Sequence, residues 1–371
     1  MVLAQNCIFE VCKKNDEAMI LREHIQKILE AGAQAPSGSN SQPWKFEVRG
    51  NEITVVAIPE RDHPVLNFRY RGTWIAHGAL IENISIAAHE FGYNANVKLF
   101  PEAANPNVTA RIKLEKKETK GDTLFRAIAL RTTNRKPYSL LPLSENERKE
   151  LFRVGKERET PGVAAVFIDD SQKIKELGKA ASVNEVVMFE NQALHRLLFE
   201  EIVWTKKEEE RRGKGLLFKT MELKPPAAVI KMLGKWPLMR ILNIFGVARA
   251  IAKDNIKMYS SAPLVCAIFC GDGDADFVNA GRLMERIWLR ATAIGLSSHL
   301  MTGVLFMWQR IASGEVEWFS GEHVKLIQGA YQMTATTVGV DNQNIALLFR
   351  IGKAEEPSAR SFKKPPEIFF K

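Results

Sequence analysis

The chain has 371 residues, 46% of them hydrophobic and 26% charged, and its 52 Lys and Arg exceed its 43 Asp and Glu. This composition is that of an ordinary soluble globular protein longer than one average domain. The net charge of +9 favours a phosphate-bearing small molecule, nucleic acid or an anionic membrane surface as partner. Nucleic acid has little support, because the basic residues are interleaved with acids and form no recognisable module. The N-terminus has no basic stretch followed by an apolar core, so we predict no signal peptide and a cytoplasmic location.

Four cysteines, Cys7, Cys12, Cys266 and Cys270, are too few for a disulfide framework in a chain of this length. Neither pair has the spacing of a zinc site. Cys266 and Cys270 also lie in an apolar run that we expect to be a buried strand. No metal site is predicted.

The first segment, residues 17–116, predicts the order helix, hairpin, helix, strand, strand. An amphipathic run with apolar residues at helical spacing stops near Gly32 and Pro36. After the loop APSGSNSQPW (35–44), the strand-like runs WKFEVR and EITVVAI flank Gly50-Asn51, which is a strong hairpin signal. A long helix with an apolar inner face and the short strands VKLF and ARIKLEK complete the segment.

The loop 35–44 combines hydrogen-bonding side chains, two fixed proline φ angles and one flexible glycine. These are the parts needed to hold a flat polar ligand by its edge. Taken alone, the loop fits a polar connection without a ligand better than it fits a binding loop.

The second segment begins with a short helix over 124–131, which Pro137 stops, and a capping box of Ser144 and Glu147 that starts the next helix. The rest of the segment predicts three strands and two long helices. The strands are VAAVFID, LVCAIFC and NIALLFRIG, and the helices are 171–201 and 276–294. The mixed-charge run 206–214 is predicted to be a solvated helix face or a mobile loop.

Residues 225–250 are rich in Ile, Leu, Met, Trp and Phe, yet Lys231, Lys235, Pro237 and Arg240 interrupt them. A transmembrane helix needs ~20 largely apolar residues in a row, which this stretch does not offer. It fits a pair of core helices, a lid over a flat ligand or a membrane-surface element.

The chain contains an internal repeat in its two long helices. Six residues recur with a constant offset of 203 positions, as between Gly78 and Gly281. The matched residues are Gly78, Leu80, Glu82, Ile84, Ala88 and Gly92, and Gly281, Leu283, Glu285, Ile287, Ala291 and Gly295. Because a strand of similar character accompanies each helix, we interpret the repeat as an ancient duplication.

Residues 131–135 (RTTNR) place two guanidinium groups and hydroxyls within five residues. If the preceding helix ends there, these donors converge on a small volume suited to a phosphomonoester. Together with a loop for a planar ring, they indicate a site for flavin mononucleotide (FMN).

At this point the sequence resembles the nitroreductase family of FMN-dependent oxidoreductases. The family's P-S-x-x-N-x-Q-P-W motif is present at 36–44, and its R-x-S-x-R motif is present at 131–135 with Thr133 in place of serine. The segments 293–296 (AIGL), 297–304 (SSHLMTGV) and 347–360 (LLFRIGKAEEPSAR) are also similar to the family. The resemblance covers most of residues 20–142 and 260–366.

The resemblance implies bound FMN, with NAD(P)H as electron donor and a nitroaromatic, quinone or similar small molecule as acceptor. The backbone at Thr302-Gly303 would present an N–H to flavin N5, and Arg360, with Lys363 as a substitute, would bind the phosphate. No catalytic side chain and no metal are implied. The implied cofactor-binding residues are Pro36, Ser37, Gly38, Asn40, Gln42, Arg131, Thr132, Thr133, Arg135, Thr302, Gly303 and Arg360.

Ordinary members of the family that this chain resembles are homodimers of chains about half as long, with two FMN sites built across the interface. Here the two motifs lie in different halves of one chain, which resembles the fused, pseudo-dimeric Acg-like branch and implies a single retained site. We therefore expect an α+β, nitroreductase-like fold of two duplicated halves, each with a mainly antiparallel sheet packed by helices. The expected halves are 1–120 and 121–371, the second with a lid insertion at 205–252. The chain would be a monomer or a homodimer, with peripheral membrane contact through 225–250 and FMN storage with little turnover as alternatives.

Overall fold

The computed structural model describes residues 19–118, 121–157, 162–340 and 344–371, and Cys7 and Cys12 lie outside these ranges. The first half has the predicted order of elements. They are α1 (19–32), β1 (Trp44–Arg49), β2 (Glu52–Ala57), α2 (Arg71–Glu90), β3 (Tyr93–Leu99) and β4 (Val108–Lys116).

The second half has more helices than the first. Its elements are α3 (Phe125–Leu130), α4 (Glu145–Glu157), β5 (Ala164–Ile168), α5 (Ser171–Glu190), α6 (Gln192–Glu201), β6 (Ile202–Val203), α7 (Lys206–Arg212), β7 (Leu216–Leu217), α8 (Ala227–Leu233), α9 (Trp236–Ile244), α10 (Val247–Tyr259), β8 (Leu264–Cys270), α11 (Asp274–Ala293), β9 (Ser297–Leu300), α12 (Gly303–Ala312), α13 (Gly321–Val338), β10 (Asn344–Gly352) and β11 (Ile368–Phe370).

Two sheets repeat the same topology. One has the strand order β11-β1-β2-β4-β3 and the other the order β5-β8-β10-β9. All neighbours are antiparallel except β1 and β11, which are parallel. The four-strand order β1-β2-β4-β3 therefore matches β5-β8-β10-β9, with a long helix, α2 or α11, between the second and third strands of each half. The predicted α+β fold of two duplicated halves is confirmed.

The two repeated helices pack directly on each other at the glycines that the repeat singled out. A Cβ atom on Gly78 would lie 2.0 Å from the Val278 carbonyl oxygen, and one on Gly281 would lie 2.0 Å from the Ile75 carbonyl oxygen. The two contacts are reciprocal, because residues 75 and 278 have the same offset as 78 and 281. Only glycine permits this approach of the backbones, and the largest hydrophobic cluster contains residues of both halves.

The differences from the predicted elements have local causes. The helix predicted over 171–201 is broken at Asn191, whose side-chain oxygen accepts a hydrogen bond from Leu194 N at 3.1 Å and starts a new helix. The short helix predicted over 124–131 is observed at Phe125–Leu130. The capping box is confirmed, since Ser144 N donates to Glu147 Oε2 at 2.7 Å and Glu147 N donates to Ser144 Oγ at 3.3 Å.

Residues 225–250 form α8, α9 and the first residues of α10, and they are not a pair of core helices. Ile230 and Met239 are buried, whereas many of the other apolar side chains are exposed. None of the helices in the described ranges has both the length and the apolar character needed to cross a bilayer.

Candidate functional site

A cavity of about 120 Å³ lies where four chain segments from both halves meet. Its walls come from the loop after α1, the segment after α3, the β7 region and the C-terminal tail. Eight of the twelve residues predicted for the site line it: Pro36, Ser37, Asn40, Arg131, Thr132, Thr133, Arg135 and Arg360.

The loop after α1 has an unusual backbone. Ser39, Asn40 and Gln42 have positive φ angles of 45°, 54° and 49°, which non-glycine residues seldom adopt. Such conformations cost on the order of 1–3 kcal/mol each and persist where the surrounding structure imposes them. Because three such conformations occur within four residues, the surrounding structure must hold this loop in one shape.

Hydrogen bonds from distant segments impose that shape. Asn40 Nδ2 donates to the Phe362 carbonyl at 2.8 Å, and Gln42 Nε2 donates to the Gly213 carbonyl at 3.2 Å. His77 Nε2 lies 3.0 Å from the Pro43 carbonyl oxygen. Burial lowers the pKa of His77 to about 4, so the ring is neutral at pH 7 and its Nε2–H donates. The loop is therefore pinned by helix α2 and by residues of the other half.

The segment 131–135 leaves α3 as an extended chain beside β9. Thr133 forms a parallel bridge with Ser298, and Asn134 N donates to the Ser298 carbonyl at 3.1 Å. Asn134 Nδ2 also donates to Ser297 Oγ at 3.0 Å and to the Glu355 carbonyl at 2.8 Å. This anchoring presents Arg131, Thr132, Thr133 and Arg135 to the cavity.

Arg131 has a structural role as well as a place in the cavity wall. Its Nη2 donates to the Gln34 carbonyl at 3.0 Å, its Nε lies 3.3 Å from Glu285 Oε1, and its guanidinium lies 4.7 Å from the Trp288 ring centroid. Burial raises the pKa of the Glu285 carboxyl to about 7, although the Arg131 charge opposes the rise. The ion pair joins the segment after α3 to helix α11.

Three further cations border the cavity with no carboxylate within 4.0 Å of them in the described ranges: Arg135, Arg360 and Lys363. Arg135 Nη1 donates to the Thr220 carbonyl at 2.9 Å, and Arg360 Nη1 donates to the Ala129 carbonyl at 3.0 Å. Lys363 Nζ donates to the Ala35 carbonyl at 2.7 Å and to Asn40 Oδ1 at 3.0 Å. Burial, and then the Arg131 charge, lower the pKa of Lys363 to about 7.

Four predicted residues do not line the cavity. Gly38 lies in the loop, and Gln42 is buried with its polar atoms used by the protein, since its Oε1 also accepts from Lys364 N at 3.0 Å. Thr302 and Gly303 start α12, where a Cβ on Gly303 would lie 2.1 Å from Asn184 Oδ1. Gln42 therefore acts as a support of the loop.

Sequence reasoning missed part of the wall. Leu216 and Thr220 lie within the predicted lid insertion 205–252 and line the cavity, whereas none of its lining residues comes from 225–250. Glu285, the ion-pair partner of Arg131, has no signal in the sequence apart from its place in the repeat. Lys363, proposed as a substitute for Arg360, lines the cavity together with it.

The donors fit a dianionic phosphate ester. Guanidinium, ammonium and hydroxyl groups converge on one cavity, and none of the described carboxylates lies at ion-pair distance from Arg135, Arg360 or Lys363. A rigid polar loop forms the neighbouring wall. The site can thus hold a small molecule that carries a phosphate at one end and a group for the loop at the other.

Comparisons with known proteins find similarity to nitroreductases. The model of the nitroreductase family matches residues 12–53. The chain is 22% identical over 363 residues to the "Putative NAD(P)H nitroreductase acg" of Mycobacterium tuberculosis, covering 95% of this chain and 97% of that protein. It is 23% identical over 290 residues to an uncharacterized protein of the same organism, covering 76% of this chain but only 39% of that longer relative.

Solved nitroreductases are also similar at lower identity. The FMN-dependent nitroreductase NfnB of Mycobacterium smegmatis in complex with NADPH is 14% identical with a TM-score of 0.38, covering 65% of this chain and 94% of its own. A nitroreductase of Bacteroides fragilis with bound FMN is 11% identical with a TM-score of 0.35, covering 65% and 93%. The resemblance to the nitroreductase family predicted from the motifs is confirmed.

Proposed function

We propose that this chain, a relative of the nitroreductase family, binds one FMN in the described cavity and passes electrons from NAD(P)H to a nitroaromatic, quinone or similar small acceptor. One observation carries the proposal. The loop 36–40 of the first half and the segment 131–135 of the second half, far apart in sequence, line a single cavity with the C-terminal tail.

The phosphate end belongs to the basic side of the cavity. Arg135, Arg360 and Lys363 supply positive charge, and the hydroxyl of Thr133 supplies a further donor. Their present partners are backbone carbonyls or an amide oxygen, so binding a phosphate does not require breaking an ion pair. Charge-assisted hydrogen bonds of this kind are about twice as strong as neutral ones.

The ring end belongs to the loop that begins at Pro36. Its imposed conformation presents Pro36, Ser37 and Asn40 as a fixed edge. Because this edge is already ordered, binding a ring to it carries no entropic cost for ordering the loop. We assign the backbone N–H groups of Thr302 and Gly303 to the ring as well. Ser298, which is bridged to Thr133, lies only four residues before Thr302.

When bound, FMN supplies the two-electron redox chemistry, and the protein's part is to bind and orient it. The cations around Arg135 neutralise the phosphate. Backbone N–H groups near the ring would favour negative charge that develops there. No side-chain acid or base is needed for this role.

The experiment is the visible spectrum and flavin content of the purified protein. We expect flavin absorption bands with close to one FMN per chain, and anaerobic addition of NADPH or NADH should bleach them rapidly. Two flavins per chain would contradict the single site, and a protein that cannot bind FMN would contradict the proposal.

A matched pair of variants tests the phosphate assignment. Arg135→Ala should weaken FMN binding by about ten- to a hundred-fold, the equivalent of one lost hydrogen bond to a charged group. Lys136→Ala is the control, because it removes a neighbouring charge that faces Glu355 outside the cavity. Equal affinities of the two variants would refute the role of Arg135.

FMN storage with little turnover is the second candidate, because the insertion helps to close the cavity. Leu216 and Thr220 form part of its wall, and the Thr220 carbonyl accepts from Arg135. A covered flavin would be reduced slowly. Bleaching over many minutes instead of rapidly would favour storage over reductase activity.

A further inference from the structure

Residues 223–253, here called the basic apolar surface, are not explained by the proposed cofactor site. They contain six cations and no Asp or Glu: Lys224, Lys231, Lys235, Arg240, Arg249 and Lys253. With 43 acids in 371 residues, a stretch of this length would on average hold three or four. The absence of acids gives this part of the chain a single sign of charge.

The outer face of α9 is apolar at helical spacing. The exposed residues Pro237, Arg240, Ile241, Ile244 and Phe245 follow the i, i+3, i+4, i+7, i+8 pattern of one helix face. Ile244 and Phe245 are each 79% exposed, and Ile241 is 54% exposed.

The opposite face of α9 fixes the helix to the protein. Met239 is fully buried there, and Asn243 Nδ2 donates to the Phe189 carbonyl at 2.8 Å. The helix is therefore anchored on one side and leaves a second apolar face in water.

Helix α8 repeats the arrangement on a smaller scale. Val229 and Met232 are exposed at i, i+3, while Ile230 is buried. Lys231 Nζ lies 4.8 Å from the Trp204 ring centroid, which keeps a cation beside these side chains. Adjacent exposed apolar residues among cations are the pattern of a helix that lies in a bilayer interface.

We propose that the basic apolar surface binds the surface of an anionic lipid bilayer. The apolar side chains of α8 and α9 would enter the boundary between headgroups and acyl chains, and the cations would meet the anionic headgroups. The interaction is peripheral and reversible.

Charge argues for a bilayer over a second copy of this chain. Arg249 is paired with Glu190 at 3.6 Å and with Glu322 at 2.8 Å, whereas the other five cations have no carboxylate within 4.0 Å among the described residues. A two-fold interface brings the same surface of both copies together, so these five cations would face five more. Like charges in contact are strongly unfavourable at an interface, and Lys is depleted there. An anionic surface has the complementary charge.

The test is co-sedimentation of the full-length protein with vesicles of pure phosphatidylcholine or of phosphatidylcholine with about one-third phosphatidylglycerol. We expect binding to the anionic vesicles only, weakening as salt is raised. Neutralising Lys231, Lys235 and Arg240 together should lower the partition coefficient about 100-fold, or roughly five-fold for each cation.

A second pair of variants isolates the apolar contribution. Ile244→Glu with Phe245→Glu should reduce binding at least ten-fold, because two apolar anchors become acids. Leu140→Glu with Leu141→Glu is the control, since these residues are 71% and 76% exposed on a different segment and make the same change in charge. Unchanged thermal unfolding of both variants shows that the fold is intact.

Four outcomes would overturn the proposal. They are no vesicle binding, equal binding to neutral and anionic vesicles, and equal loss in the two paired variants. The fourth is a concentration-dependent oligomer that Ile244→Glu with Phe245→Glu abolishes, which would assign the surface to self-association.

Discussion

Removing Arg131 should destabilise the protein through the carboxylate that it leaves behind. Glu285 is fully buried on helix α11, and Arg131 is its ion-pair partner at 3.3 Å among the described residues. Breaking a buried pair from one side costs about 3–5 kcal/mol, because the remaining charge has no compensation. We expect Arg131→Ala to lose about that much unfolding free energy at pH 8.

The pH dependence identifies the cause. In the unfolded chain Glu285 ionises near its ordinary value of 4.5, whereas in the folded protein burial raises its pKa to about 7. Wild-type stability should therefore fall as pH rises from 4.5 to about 7, by up to about 1.4 kcal/mol per pH unit from this group. Without Arg131 the folded pKa is higher still, so the fall continues above pH 7 and the cost of the substitution grows with pH.

The assay is denaturant-induced unfolding of wild type, Arg131→Ala and Arg131→Ala with Glu285→Gln at pH 6, 7, 8 and 9. The double variant should recover most of the loss at pH 8 and should show no slope from this site, because the amide does not ionise. A double variant as unstable as Arg131→Ala, or a cost of Arg131→Ala that is the same at every pH, would contradict this role of Glu285.

Three other outcomes are expected. FMN affinity should fall by up to about ten-fold per pH unit above pH 7, because the pKa of Lys363 is lowered to about 7 in the free site and a phosphate binds the protonated amine. Fluorescence titration of FMN binding at several pH values measures this slope, and Lys363→Arg should remove it. Gly281→Ala should destabilise the protein by about 1–3 kcal/mol, because the added methyl group would clash with the Ile75 carbonyl. Gly329→Ala should stabilise it slightly, because Gly329 lies in a helix with open space around it. If thermal unfolding shows Gly281→Ala to be the more stable variant, the close crossing of the two helices is contradicted. His77 should contribute up to about 3 kcal/mol of stability at pH 6.5 that is lost by pH 4, since its pKa is lowered to about 4 in the fold; a His77→Gln variant with an identical acid unfolding profile would contradict this.

Elements that depend on residues close together in the chain could be predicted, because interactions between neighbouring residues determine them. The hairpin around Gly50-Asn51, the capping box at Ser144 and the strand NIALLFRIG are dictated by turn geometry, helix-end hydrogen bonding and burial of neighbouring residues. The repeat was also readable, because the glycines at 78 and 281 are needed wherever two helix backbones touch.

The packing of residues 225–250 could not be predicted from the sequence. Residues 225–250 have an apolar composition that suits a core as well as a surface, and composition does not say which side a helix buries. Only the packing of α9, with Met239 inward and Ile244 outward, distinguished the two. The cavity wall at Leu216 and Thr220 likewise has no motif of its own.

The sequence by itself determined many of the elements, the internal repeat, the family resemblance and the two motifs of the proposed site, because each is a pattern of residues along the chain. The tertiary structure decided which of those residues meet. It separated Gln42, which does not line the cavity, from Asn40, which does, and it paired Arg131 with Glu285 across 154 positions. Such contacts depend on how segments far apart in the chain fold onto one another, and a local sequence pattern carries no information about which distant segment it will contact.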